Sequence, residues 1–262
     1  VIQSSRRVRI AAFGFFDETG FGGSSSPGRR PPVPLADLTW SLVSPEPFKR
    51  FGQLDAVAKT TLTAIEMAGL RELAPQDTAI YAATSEGCLG ADIEFAQSMA
   101  GDTGPSPRLF AYTLPSTVLG EIAIRYRWTG SNLCLVTDDS LAALIEGYFA
   151  VSTGDSPACL SVGYDALFAP SAAKAKERGM LQGDGCPRAH AFLLLAEDLS
   201  SNVSGWCLSL GRAYASAPLP ALSSSREVKD FMIHGDRSAN AGATLGGGSG
   251  QPLLLRWEAN SR

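Results

Sequence analysis

An α/β fold, with a sheet layered by helices, is what the sequence predicts, and three observations predict it. Short apolar runs of strand length alternate with amphipathic helical stretches along most of the 262 residues. The early strand-like runs are apolar almost throughout, as strands covered on both faces are. The last two, Ala189 to Leu195 and Trp206 to Leu210, follow one another with no helix between, so a largely parallel sheet should contain an antiparallel part. At 45% hydrophobic residues the chain can bury one large core.

Val8 to Phe16 (VRIAAFGFF) is the first expected strand. Gly20 to Pro34, rich in Gly, Ser, Pro and Arg, is expected to be a mobile loop, or one ordered only against a partner. Gln53 to Gly69 is an amphipathic helix: Leu54, Val57, Ala58, Leu62, Ile65 and Ala68 recur at helical spacing, and Gly69 marks its end. Ala79 to Ala83 is a short buried strand, Gly87 to Met99 a helix closed by the Gly/Pro turn Gly101 to Pro107, and Thr117 to Tyr126 another helix. Leu133 to Val136 is a strand that runs through Thr137, Asp138, Asp139 and Ser140 into a helix from Leu141 to about Val151, with Gly154 beyond. Ala158 to Val162 is a further strand, entered from the turn Asp155-Ser156-Pro157.

The end of the chain reads differently. Ser223 to Lys229 is polar, and Ala241 to Gly250 (AGATLGGGSG) is nearly all small residues. No Lys-Ser/Thr follows it as a P-loop requires, so a flexible connection is expected. Residues 1–215 form the expected domain and 216–262 a Gly/Ser-rich tail, with Pro252 to Trp257 returning as an edge strand or docking elsewhere. No repeat of solenoid period is present.

Composition excludes several classes. A net charge of −4 without a basic block gives no footprint for a polyanion; Arg6-Arg7 and Arg29-Arg30 read as solvated clusters. No run has the length of a membrane span and no signal-peptide core opens the sequence, so a cytoplasmic protein is expected. Cys88, Cys134, Cys159, Cys186 and Cys207 lack pair spacing and read as reduced, buried thiols. The two histidines, His190 and His234, have no partner at metal-ligand spacing, so neither a metal nor a cofactor is expected.

The junction at Thr137 to Ser140 is the candidate site, because helix N-terminal amides face whatever a strand-to-helix turn places there. Two readings of its carboxylates stand side by side. Asp138 or Asp139 caps the following helix, by about 1 kcal/mol, or Asp139 belongs to a pocket.

Several segments together resemble β-ketoacyl synthases. Gly130 to Phe168 (GSNLCLVTDDSLAALIEGYFAVSTGDSPACLSVGYDALF) is similar to their nucleophile region. Leu109 to Gly130 is similar to the segment preceding it, Ile80 to Phe95 to their early strand and glycine turn, and Gly183 to Leu199 (GDGCPRAHAFLLLAEDL) to their Asp-Gly strand. The resemblance, over about Val8 to Tyr214, implies a thiolase-like half: a mixed, mostly parallel five-stranded sheet covered by helices on both faces. It places Asp139 where the family carries its nucleophilic cysteine, and the family's two catalytic histidines have no counterpart in His190 or His234. A carboxylate is a far weaker nucleophile than a thiolate toward a thioester. The resemblance therefore implies a non-catalytic subunit of the chain-length-factor type, like truncated synthase partners of aryl polyene and other polyketide or fatty-acid pathways. It would pair with an active ketosynthase, or with itself, and meet acyl chains borne by an acyl carrier protein. The family's pairing strand falls on Asn132, Leu133, Cys134, Leu135 and Val136. The segment lining the partner's pocket falls on Phe110, Tyr112, Leu114, Pro115, Thr117 and Val118. The alternatives are an acyl-thioester decarboxylase or hydrolase, with Asp139 as base and Thr137 or Ser140 positioning water, and a homodimeric acyl-thioester-binding protein.

Overall fold

The computed structural model describes residues 7–26, 28–101, 104–165, 187–196, 205–210, 220–234, 242–245 and 253–258. Arg6, Cys186 and the glycine run 246–250 lie outside them. The apolar first segment forms β1 (Val8–Asp17), which hairpins into β2 (Gly20–Gly23). The glycine-rich segment expected to be mobile is thus partly sheet, and a further bridge ties Phe21 to Arg30. Gly20 makes the turn possible at φ 123°, a region closed to residues with a Cβ.

Helix α1 (Ala56–Ala68) begins at Asp55, whose carboxylate accepts the Ala58 N–H at 2.8 Å, and ends at Gly69 in the left-handed conformation. It lies so close to β1 that a Cβ on Gly14 would fall on the Ala64 carbonyl oxygen. Then come β3 (Ala79–Thr84), α2 (Leu89–Met99), the short α3 (Pro107–Phe110), α4 (Thr117–Tyr126), β4 (Asn132–Val136), α5 (Ala142–Thr153), β5 (Ala158–Asp165) and β6 (Arg188–Ala196). Five strands stand in the order β4-β3-β5-β6-β1. Four share one direction and β6 runs against both neighbours. A mixed sheet with one reversed strand is the expected architecture.

It is only half of the sheet. Strand β7 (Gly205–Leu210) pairs antiparallel with β1 and is followed by β8 (Ala221–Leu222), α6 (Ser225–His234), β9 (Gly242–Leu245) and β10 (Leu253–Glu258). The order continues β7-β10-β9-β8, making ten strands with β2. Two expectations are corrected here. Residues 216–262 are not merely a Gly/Ser-rich tail, because three of these strands and a helix come from them. Leu253 to Trp257 is no edge strand either, since β10 has β7 on one side and β9 on the other. The physical reason is the apolar content of β10: Leu253, Leu254 and Leu255 are all buried.

The two halves are built alike. Strands β1-β6-β5-β3 pair antiparallel, antiparallel, parallel, and β7-β10-β9-β8 repeat that sequence of pairings. Helix α5 precedes β5 as α6 precedes β9. Period-two alternation sends side chains to opposite faces. Leu160, Val162, Leu193 and Leu195 join the core under α1 and α4, whereas Cys159, Phe192 and Leu194 join the one under α5 and α6. The second core also receives Leu208, Leu245 and Leu255, so it spans both halves.

Candidate functional site

The site forms where α5 and α6 begin. At the end of β4, the Thr137 N–H donates to the Thr84 carbonyl at 2.8 Å, continuing the ladder with β3 for one residue. The chain then tightens: the Asp139 N–H donates to Thr137 Oγ1 at 3.2 Å, and Asp139 Oδ1 accepts the Leu141 N–H at 2.9 Å. Asp139 therefore meets one of the orphan amides of the helix entry, as a cap does. Its side chain and that of Asp138 are exposed, while Thr137 and Ser140 are half-buried.

A cavity of about 240 Å³ opens beside this turn. Thr137, Asp138 and Ser140 line it, together with Thr84 and Ser85 from the end of β3, Asp165 and Arg188 from β5 and β6, His190, and Ser224, Ser225 and Arg226 at the start of α6. Asp139 is not among the lining residues. Asp165 organises one wall: its carboxylate accepts Thr84 Oγ1 at 2.8 Å, the Ser85 and Glu86 N–H groups at 2.9 and 3.0 Å, and Arg188 at 3.0 Å. The two helices meet through Ser225, whose N–H donates to Ser140 Oγ at 3.0 Å.

Behind the cavity lies a buried ionic group. Lys229 Nζ donates to Asp17 Oδ2 at 2.6 Å, and His190 Nε2 stands 3.4 Å from the same oxygen. Burial alone would raise the Asp17 carboxyl, but hydrogen bonds from His190, Lys229 and Thr19 outweigh it and hold it well below the ordinary carboxylate range. Burial lowers the His190 imidazole. No motif or spacing in the sequence marks Asp17, Asp165, Ser225 or Lys229, and His190 stands within the apolar run Ala189 to Leu195. One signal was available: β1 and β5 are apolar runs that each end in Asp.

Two of the described thiols are held in the protonated form. Burial, then the Asp92 carboxylate, pushes Cys88 up to about 12, and burial pushes Cys159 up to about 12. Cys159 and Cys207 are buried as expected, but Cys88 and Cys134 are only half-buried, because one starts a helix above the sheet and the other stands on an outer strand.

That outer strand is β4. Among the described residues it pairs with β3 alone, and its other edge is open. Asn132 is exposed, Leu133, Cys134 and Leu135 half-buried, and Val136 is 64% exposed. Of the segment before it, Phe110 and Leu114 are each 63% exposed, and Pro115 and Thr117 are partly covered. Tyr112 and Val118 are core, with the Tyr112 hydroxyl donating to Glu121 at 3.1 Å. No described helix is long and apolar enough to cross a membrane.

Residues 50–212 match the family of the β-ketoacyl synthase N-terminal domain. Solved structures give the same architecture. A chain from the ishigamide ketosynthase/chain length factor is similar with a TM-score of 0.63 at 11% identity, over 97% of this chain and 100% of that one. A chain from the ketosynthase ApeO in complex with its chain length factor ApeC, from Xenorhabdus doucetiae, is similar with a TM-score of 0.53 at 15% identity, over 83% of each. A third, from a type II polyketide synthase complex of AntDE with the acyl carrier protein AntF, gives 0.54 at 15%, over 82% of this chain and 66% of that one. No curated protein is significantly similar in sequence. With the family match covering more than half its length and the sheet built in two like halves, the chain belongs to the β-ketoacyl synthase N-terminal domain family and has the thiolase-like fold.

Proposed function

We propose that the protein is a chain-length-factor-type subunit that pairs with an active ketosynthase and shapes its acyl pocket, without condensing activity of its own. The observation that carries this reading is the open edge of β4. Among the described residues the backbone groups on that side are unpaired and Val136 at the end of the strand is exposed, a surface that a folded protein ordinarily covers. Two further observations support it. Asp139 stands at the helix entry where the family resemblance puts a cysteine. Similar folds also occur in complexes of a ketosynthase with its chain length factor. Acyl chains on a carrier protein are the proposed cargo of the shared pocket.

Co-expression with ketosynthases encoded nearby tests the pairing. A heterodimer is expected to copurify, and Val136→Asp, an exposed position, is expected to weaken it at least tenfold while leaving the thermal melt unchanged. Failure of every ketosynthase to copurify, or undiminished pairing of the Val136→Asp variant, would refute the reading. Gel filtration with mass measurement distinguishes the homodimeric alternative. Hydrolysis or decarboxylation by Asp139 is less favoured, because its carboxylate is turned to the Leu141 amide outside the cavity wall.

A further inference from the structure

Ser225 is the first residue of α6, and its Oγ lies 3.0 Å from His190 Nδ1. His190 sits on β6 opposite Phe15 of β1, two residues before Asp17, which brings its Nε2 to the Asp17 carboxylate. That carboxylate is fixed from three sides: Thr19 holds Oδ1 through its N–H at 2.8 Å and through its hydroxyl, and Lys229 holds Oδ2. An ionised Asp17 can only accept, so His190 carries its proton on Nε2, and Nδ1 presents a lone pair to the Ser225 hydroxyl. Ser225 and His190 both line the cavity, whereas Asp17 lies behind them. A hydroxyl at a helix start, a neutral imidazole accepting from it and a buried carboxylate orienting the imidazole are the parts of a nucleophilic serine relay, recognised by geometry and not by chain order.

We propose that Ser225, His190 and Asp17 form such a relay, making Ser225 a nucleophile toward acyl esters and thioesters that enter the cavity between the two halves. Ser225 Oγ attacks the acyl carbonyl carbon and its proton passes to His190 Nδ1. The tetrahedral oxyanion collapses, expelling the thiolate or alkoxide, which takes that proton from His190. Water then attacks the serine ester, with His190 again accepting a proton and returning it to Ser225, so that acyl donor and water give acid and thiol or alcohol. The Ser225 N–H is taken by Ser140 and the Glu227 N–H by the Ser224 hydroxyl at 3.2 Å. That leaves the Arg226 amide, on a residue that lines the cavity, as the first-turn donor assigned to the oxyanion. Burial keeps the imidazole neutral near pH 7, as a base must be.

This activity is separate from pairing through β4, and its test is arranged accordingly. The full chain is treated with a fluorophosphonate, and the modified peptide is identified by mass spectrometry; hydrolysis of p-nitrophenyl esters of several chain lengths is followed alongside. Labelling at Ser225 is expected, with ester turnover falling to background in Ser225→Ala and labelling slowed about 100-fold or more in His190→Asn. Copurification with a ketosynthase is expected to be unchanged in Ser225→Ala, so that failure of the relay is distinguishable from failure of the pairing. An unlabelled Ser225 in the wild-type chain, or equal ester turnover in wild type and Ser225→Ala, would overturn the proposal. The wild-type labelling decides the question even where His190→Asn does not fold.

Discussion

Asp55 serves α1 and costs stability through the same carboxylate. It caps the helix, yet burial raises it to about 6 despite the Ala58 hydrogen bond, with Glu94 and Glu121 adding to the rise. In the unfolded chain the group ionises near 3.8, so between these values the folded state binds more protons and stability falls as pH rises. Asp55→Asn keeps an oxygen for the Ala58 N–H and has no charge to bury. It is expected to raise the melting temperature by a few degrees at pH 8 and to leave it unchanged near pH 4. Asp55→Ala, which removes the same charge but also the cap, should fall about 1 kcal/mol below Asp55→Asn at both pH values. Scanning calorimetry at the two pH values checks this. The helix cap at Asp139 was legible because its partner lies two positions along the chain, whereas Asp55 fell inside the helix expected from Gln53 and was not marked as its cap. The buried group was not legible, since Asp17 is 173 positions from His190 and 212 from Lys229. A lone His in an apolar run gives no hint of a partner that the fold delivers from the other end of the molecule.

Helices α1, α4 and α5 were readable from their spacing of apolar residues, and α4 was placed at Thr117 to Tyr126 as observed. Helix α6 was missed because Ser223 to Lys229 looks polar; its buried positions, Val228 and Met232, stand four apart and are separated by Lys229, itself buried through Asp17. The short β8 and β9 offer two and four residues, too few for a period to declare itself. Packing at the level of α5 is tight. A Cβ on Gly147 would fall on the Ser161 hydroxyl and press on Cys159 and Leu194. Ser161 cannot simply yield, because its hydroxyl donates to the Ala143 carbonyl at 3.0 Å. Gly147→Ala is therefore expected to destabilise the protein by about 1–3 kcal/mol in urea titration, despite alanine's better helix propensity.

For the whole molecule, the first half of the sheet was foreseen; of the second, β7 was expected as a strand and β10 as an edge strand or docking segment, while small and polar residues conceal how the short apolar runs of β8, β9 and β10 join into one sheet. Those runs matter through the core they share with the first half. Leu255 is fully buried between α6 and the sheet, and Leu255→Ala is expected to cost about 2–5 kcal/mol of unfolding free energy. A chain ending after Leu210 would expose the side of β7 that β10 covers over six residue pairs, and should be recovered as aggregate when expressed under conditions that keep the full chain in solution. Such an outcome would make the two halves a single cooperative unit.

Matched construction does not make the rims equal. At one end β4 offers five residues to a newcomer; at the other, β8 presents two, too short a template to recruit another chain. Between these two ends of the described sheet, strand addition finds a long template at β4, and a second molecule docking there covers that template on both. The sheet then doubles through matched edges, a closed pairing and not the start of a fibre.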